Sequence, residues 1–138
     1  MSSEEEVSRN LSMIEYYKEQ LSALDMQAQY LQAAIADYYK AKMTVENLKK
    51  QQKGAEILVP VGLGVFVTAS TKDTSKILVD IGAGFVVEKN ADNAMKKIDS
   101  RIESLQKNQE KLFTVAQQVQ TDAQTLANKT QQMIAESK

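Results

Sequence analysis

The sequence predicts a mainly α-helical protein with a small β module: a long antiparallel two-helix coiled coil connected by two β-hairpins. Two long segments of the 138-residue chain repeat apolar residues with heptad spacing, which is typical of a coiled coil. Between them lies a stretch rich in Val and Ile and interrupted by glycines, as in strands joined by tight turns. A composition with 1 Pro, 5 Gly and no Trp also favours long helices over a compact mixed fold.

The first predicted helix spans residues 4–53, and most of its heptad core positions are apolar. Its a positions are Val7, Ile14, Leu21, Ala28, Ile35, Lys42 and Lys49, and its d positions are Asn10, Tyr17, Leu24, Leu31, Tyr38, Val45 and Gln52. Ser3 and Glu6 have the spacing of an N-terminal capping box, and Gly54 follows a lysine-rich end, as expected at a helix C-terminus. Lys42 and Lys49 interrupt the apolar seam, which predicts looser pairing of the helices near the connection.

The second predicted helix spans residues 91–137, with Asn90 as its N-cap. Its a positions are Met95, Ile102, Gln109, Ala116, Ala123, Thr130 and Ser137, and its d positions are Ile98, Leu105, Leu112, Val119, Leu126 and Met133. Each helix carries one seam and the two have similar lengths, so the simplest arrangement folds the second back along the first. Val7 is then expected near Met133, and both chain termini lie far from the connection.

The segment 55–89 is an internal repeat. Ile57, Leu58, Val59, Gly62, Gly64 and Val67 recur as Ile77, Leu78, Val79, Gly82, Gly84 and Val87. Each copy predicts a strand, a Gly-x-Gly turn (Gly62 and Gly64, then Gly82 and Gly84) and a second strand. An isolated hairpin is marginally stable in water, so the strands are expected to join a sheet or barrel shared with other subunits. The predicted oligomerisation residues are Ile57, Val59, Val61, Val65, Val67, Ile77, Val79, Ile81, Phe85 and Val87.

Several functional classes have no support in the residues. The absence of Cys and His removes disulfides, the common zinc sites and the usual catalytic triads, so neither an enzyme nor a metal or cofactor site is predicted. A net charge of −1 offers no basis for binding nucleic acid. The Gly-x-Gly sequences are not followed by helices, as a dinucleotide loop would require. The N-terminus is acidic, and the longest apolar stretch, residues 57–67, contains Pro60 and is too short to span a membrane, which predicts a cytoplasmic protein.

Three short segments carry a resemblance to a known family: Ile57-Leu58-Val59-Pro60-Val61-Gly62, Val79-Asp80-Ile81-Gly82-Ala83-Gly84 and Val87-Glu88-Lys89. With these segments the whole chain, residues 1–138, resembles the α class of the prefoldin family and is expected to form a single domain. The presence of two hairpins indicates the α class, because β subunits of that family have a single hairpin. The resemblance implies a cytoplasmic hexamer of two α and four β subunits built around a double β-barrel. It also implies binding of unfolded clients at distal coiled-coil tips and delivery to a group II chaperonin, without nucleotide hydrolysis.

The ends of both helices carry apolar side chains suited to unfolded clients. The predicted client-binding residues are Val7, Leu11, Met13, Ile14, Met133 and Ile134. Val7, Ile14 and Met133 lie on the seam, and the other three partly leave it. Methionine is flexible and polarisable, which suits contact with varied partners. The alternative interpretation is an ordinary coiled-coil core with scattered exposed apolar residues. The chain would then be a structural coiled-coil scaffold whose hairpins assemble but whose tips bind no client.

Overall fold

The fold consists of two long helices with two β-hairpins between them, as predicted. The computed structural model describes residues 2–137, so Met1 and Lys138 of the predicted domain lie outside the described residues. In chain order the elements are α1 (Ser3–Lys49), β1 (Glu56–Gly62), β2 (Val65–Ser70), β3 (Ile77–Gly82), β4 (Phe85–Lys89) and α2 (Ala91–Glu136). The predicted mainly helical fold class with a small β module is confirmed.

The chain forms two compact units. The first unit consists of the residues up to Ala34 together with those from Leu105 onward, and its elements are segments of α1 and α2. Its two helical segments run antiparallel. At one level the side-chain amide of Gln109 donates a hydrogen bond of 2.9 Å to Gln32. At another level Lys129 Nζ lies 3.7 Å from Glu6 Oε1.

The second unit, Ile35–Ser104, holds both hairpins and the helical segments next to them, which we call the neck (residues 35–49 and 91–104). The buried apolar residues of this unit are Ile35, Val45, Val79, Ala91, Ala94, Ile98 and Ile102. Two ion pairs cross the neck: Lys42 Nζ lies 2.9 Å from Asp99 Oδ1, and Lys49 Nζ lies 2.7 Å from Asp92 Oδ1. The two seam lysines therefore link the helices, because their long stems let the charged ends reach acidic partners beside the seam.

The heptad register explains which side chains face the partner helix. Within the helices, each predicted a or d position is buried or partly buried except Lys49. Two polar residues lie fully inside this seam in the first unit: Asn10 is 8% exposed and Thr130 is 2% exposed. The coiled-coil pattern thus places the core correctly, including the positions where it is not apolar.

The helix ends differ from the prediction at the start and end of α1. Ser2, not Ser3, is the N-cap: its Oγ accepts a hydrogen bond of 3.2 Å from the amide of Glu5. The helix ends at Lys49 instead of residue 53, because the backbone amides that follow bond to carbonyls three residues earlier, in a tighter turn than that of an α-helix. The amide of Gly54, at φ 86°, donates a 2.7 Å hydrogen bond to the carbonyl of Thr71. Residues 50–54 therefore belong to the base of the first hairpin.

The start of α2 follows the prediction. The Asn90 side-chain oxygen accepts a hydrogen bond of 2.8 Å from the amide of Asn93, and the Asn90 carbonyl accepts a bond of 2.9 Å from the amide of Ala94. Asn90 is therefore the N-cap of α2, and it satisfies amides that have no partner inside the helix.

The hairpins are two separate two-stranded antiparallel sheets, β1–β2 and β3–β4. Equivalent positions of the repeat pair equivalently, with Val59 opposite Val67 and Val79 opposite Val87. The turn pairs are Leu63–Gly64 and Ala83–Gly84, and both glycines adopt left-handed backbone (φ 71° and 79°). Gly62 and Gly82 are the last residues of β1 and β3 and directly precede the turn pairs, and Gly82 also has positive φ (110°).

The contribution of the Lys49–Asp92 ion pair to the free energy of unfolding is expected to depend on pH. The hydrogen bond from the Lys49 ammonium, and then its charge, hold the pKa of Asp92 below its usual value. A carboxyl group with a lowered folded pKa stabilises the fold above its unfolded pKa of about 4 and loses that contribution as pH falls through the folded value. Asp92→Asn should therefore lose less stability between pH 7 and pH 3 than the wild type does, as measured by urea unfolding followed by circular dichroism.

The matched control for this experiment is Asp37→Asn, which removes an exposed carboxylate from α1 in the same unit. It should keep the wild-type acid dependence. Equal acid sensitivity of Asp92→Asn and wild type would show that the ion pair does not contribute to stability in solution.

Candidate functional site

The first candidate site is the tip, where residues 3–14 of α1 lie beside residues 126–136 of α2. Glu6 and Lys129 approach to 3.7 Å, and the Asn10 amide nitrogen lies 3.9 Å from the Met133 sulfur. A cleft at this end is lined by Ser3, Glu4, Val7, Ile134 and Ser137. The antiparallel pairing therefore brings together apolar residues that are more than a hundred positions apart in the sequence.

The predicted tip residues divide into two groups. Val7, Ile14 and Met133 lie on the seam and are partly buried. Leu11, Met13 and Ile134 are exposed, at 50%, 42% and 38% respectively. The seam residues join the two helices, so the accessible apolar surface of the tip is formed mainly by the exposed three.

The exposed tip residues flank the seam on both sides. Met13 lies one heptad after Glu6, on the side marked by the Glu6–Lys129 ion pair. Leu11 and Ile134 occupy e positions of their heptads, which is the other side of the seam. A partner that contacts all three would therefore wrap around the end of the helix pair.

Two polar side chains lie beneath this surface. Thr130 is buried and its hydroxyl donates a hydrogen bond of 2.7 Å to the Leu126 carbonyl within the same helix. The side-chain amide of Asn10 donates to the thioether sulfur of Met133, and sulfur is a weak acceptor. The tip core is thus part polar, although no buried side-chain nitrogen or oxygen of the described residues lacks a partner.

The second candidate site is the hairpin surface. Of the predicted oligomerisation residues, Val79 is buried, Ile57, Ile77 and Val87 are partly buried, and Val59, Val61, Val65, Val67, Ile81 and Phe85 are exposed. The prediction named only one face of each hairpin. The other face is also apolar, through Leu58, Phe66, Leu78 and Val86, and Leu63 projects fully exposed from the first turn. Residue alternation along the strands was the available signal for this second face.

The middle of the first unit carries further exposed apolar side chains that the prediction did not assign. Tyr30, Phe113 and Val115 are 71%, 64% and 48% exposed, and Tyr30 and Val115 line a shallow groove beside the seam residues Leu31 and Leu112. Phe113 and Val115 occupy e and g positions, which are usually charged in coiled coils. A search for apolar residues at e and g would have found them.

Within residues 2–137, three or more His, Cys, Asp or Glu side chains do not come together in any group that could hold a metal ion. Over the same residues, neither helix has an apolar segment long enough to cross a membrane.

Comparison with known proteins identifies the family. The family model described as "Prefoldin subunit" matches residues 17–136. The chain belongs to the prefoldin family. Among curated relatives, the prefoldin subunit alpha of Archaeoglobus fulgidus is 34% identical over 126 residues, covering 91% of this chain and 92% of the relative. Prefoldin subunit 5 of Homo sapiens is 31% identical over 137 residues, covering 91% and 87%. The resemblance to the prefoldin α class is confirmed by these matches.

Solved prefoldin structures share the fold. A filamentous PFD from Methanocaldococcus jannaschii superimposes with a TM-score of 0.61 at 27% identity, covering 89% of this chain and 96% of that one. The prefoldin β subunit from Thermococcus strain KS-1 gives a TM-score of 0.59 at 18% identity, covering 91% and 90%, which shows the fold alone. Prefoldins are chaperones, so this chain is a chaperone subunit, and its relatives support assembly with other prefoldin subunits.

Proposed function

We propose that this prefoldin chain binds unfolded polypeptides at its tip, without nucleotide hydrolysis, and delivers them to a group II chaperonin in the cytoplasm. The observation that supports client binding is the exposure of Leu11, Met13 and Ile134 at the end where the two helices meet. Unfolded chains expose apolar side chains in varied sequences, and burial of apolar surface is non-directional. A tip with flexible apolar side chains on both sides of the seam suits such partners.

The hairpins are the proposed platform for assembly with prefoldin β subunits, in the ratio of two α to four β that the family resemblance implies. Each hairpin is a sheet of only two strands and exposes apolar side chains on both faces. A strand edge with unpaired amides and carbonyls is a template for pairing with another chain. A shared barrel would pair these edges and cover the apolar faces together.

A structural scaffold without client binding is the second candidate. The exposed apolar surface of the hairpins favours it, because this surface supports assembly whether or not the tip binds anything. The two candidates differ only in what the tip does, so they are separated by a variant that changes the tip and leaves the hairpins intact.

The variant Leu11→Ser, Met13→Ser, Ile134→Ser is expected to bind clients more weakly. Each replacement removes apolar surface that a client could bury, and full burial of such a side chain contributes about 1.5–3 kcal/mol. Partial burial of the three side chains already accounts for about 1.4 kcal/mol, so the subunit concentration needed for half-maximal suppression of aggregation of a chemically denatured protein should rise at least tenfold. Light scattering of the aggregating protein measures this, with the chain alone and assembled with a β-type subunit.

The matched control replaces Tyr30, Phe113 and Val115 by Ser, which removes three exposed apolar side chains from the same unit but away from the tip. It should suppress aggregation as the wild type does. Unchanged suppression by the tip variant, with assembly intact, would favour the scaffold. An equal loss in both variants would assign client binding to the whole length of the unit instead of the tip.

A further inference from the structure

The two hairpins have nearly the same sequence but different surroundings. At equivalent positions of the repeat, Val59 is 36% exposed whereas Val79 is 9% exposed, and Val67 is exposed whereas Val87 is partly buried. A two-stranded hairpin cannot bury one of its own side chains without another element against its face. The β3–β4 hairpin is therefore covered on one face by another part of its unit, and the β1–β2 hairpin is more open.

Arg101 of α2 connects the covered hairpin to the neck. Its guanidinium donates a hydrogen bond to the backbone carbonyl of Asp80, the residue next to Val79 in β3. The same guanidinium lies 5.9 Å from the centre of the Tyr38 ring on α1. This side chain of α2 thus contacts α1 and a strand of the hairpin, and all of these residues belong to the same unit.

Contacts of this kind hold a side chain in one orientation. The planar guanidinium can stack on an aromatic ring while its N–H groups donate to an oxygen, whereas an ammonium is a flexible point charge. The Asp80 side chain also accepts a hydrogen bond of 2.7 Å from the amide of Gly82, which fixes the end of β3. The equivalent residue of the first hairpin is Pro60, which has no side-chain acceptor.

Hydrogen bonds join the first hairpin to its unit at the base. They link Thr71 to Gly54 and Ala55 through the backbone, and the Thr71 and Thr74 hydroxyls to the carbonyls of residues 52 and 51. These bonds hold the strand ends that lie next to the helix. The second hairpin is bonded to the neck through Asp80, near the far end of β3, and the first hairpin is bonded at its base.

We propose that Arg101 is a positioning residue that anchors the β3–β4 hairpin to the neck before assembly, while the β1–β2 hairpin stays free to adjust to a neighbouring subunit. A hairpin that is already held in place loses less conformational entropy when it binds. The β3–β4 hairpin is therefore the preorganised part of the surface that binds neighbouring subunits. The consequence for assembly rests on the proposed function, but the anchoring itself is a property of the free chain.

Hydrogen exchange on the free chain tests the anchoring, because the exchange rates of the two hairpins can be compared within one molecule. In the wild type, the amides of Ile77–Gly82 and Phe85–Lys89 should exchange more slowly than those of Glu56–Gly62 and Val65–Ser70. In Arg101→Gln, exchange in β3–β4 should become roughly five- to tenfold faster, since a hydrogen bond to a charged group is lost. Exchange in β1–β2 should not change, and Arg101→Lys, which keeps the charge, should restore part of the protection.

The matched control is Lys96→Gln, which removes one positive charge from an exposed position of α2 in the same unit. It should leave both hairpins at wild-type exchange rates, and circular dichroism should show equal helix content in all variants. Equal exchange of the two hairpins in the wild type would overturn the proposal. The same holds if Arg101→Gln speeds exchange in both hairpins equally or in neither.

Mixing with a β-type prefoldin subunit separates this proposal from the proposed function. Arg101→Gln should assemble several-fold more weakly than the wild type, because its second hairpin must be ordered on binding. A wild-type chain that does not assemble with the β-type subunit would contradict the assembly part of the proposed function. The exchange difference between the hairpins would still decide whether Arg101 is an anchor.

Discussion

The double variant Val59→Lys, Val67→Glu is expected to lose assembly with a β-type prefoldin subunit. These residues face each other across the β1–β2 ladder, so opposite charges there support the hairpin itself. Both side chains are exposed in the free chain and would be covered in a shared barrel. Removing two charges from water at an interface costs on the order of 3 kcal/mol or more, which weakens binding roughly a hundredfold.

Light scattering of the mixed subunits measures this effect as the loss of the assembled mass. The control is Lys72→Glu, Lys76→Glu, which changes two charges between the hairpins and outside all strands. It should assemble normally. If Val59→Lys, Val67→Glu assembles as well as the control, this face of the first hairpin is not buried in the assembly, and the proposed platform is wrong there.

The variant Ile102→Ala is expected to show a large loss of stability for a single substitution in the neck. Ile102 is 4% exposed at an a position of α2, in the most buried part of the seam. Truncation of a buried Ile to Ala removes transfer free energy and leaves a cavity, and it lowers the free energy of unfolding by about 2–5 kcal/mol. Urea unfolding followed by circular dichroism would show this as a lower midpoint with an unchanged slope.

Val115→Ala is the matched control, because it also shortens a β-branched side chain on α2 but at a position that is 48% exposed. Its free energy of unfolding should stay within about 0.5 kcal/mol of the wild type. A similar midpoint for Ile102→Ala would mean that the neck repacks around the smaller side chain or that its seam is open in solution.

The sequence was most informative where one physical rule governs many residues. A buried coiled-coil seam requires the same spacing over many turns, so the register could be read despite interruptions such as Asn10 and Thr130. The hairpins were equally readable, since the repeat shows the same strand–turn–strand pattern twice. The placement of Leu11, Met13 and Ile134 on the surface of the tip followed from the register alone, whereas their role in client binding remains a prediction.

The features that the sequence did not predict depend on single contacts between distant residues. The end of α1 at Lys49 is set by backbone pairing of Gly54 with Thr71, which belongs to the hairpin and not to the helix. The N-cap could have been Ser2 or Ser3, because both are serines followed by glutamate three positions later. Arg101 bonds a backbone carbonyl, and a carbonyl is present at every residue, so no side-chain pattern marks the partner.

The polar residues in the tip core have a consequence for how the helix pair moves. Asn10 and Thr130 occupy places where the seam elsewhere buries aliphatic side chains, and a polar core residue specifies the register of a coiled coil at a cost in stability. The free energy needed to separate the helices is therefore expected to be lowest at this end, where helix termini fray most easily. Brief opening there would enlarge the apolar surface by exposing Val7 and Met133, and closing would hide it again in the correct alignment. The closed tip would then offer a smaller apolar contact surface than the open tip.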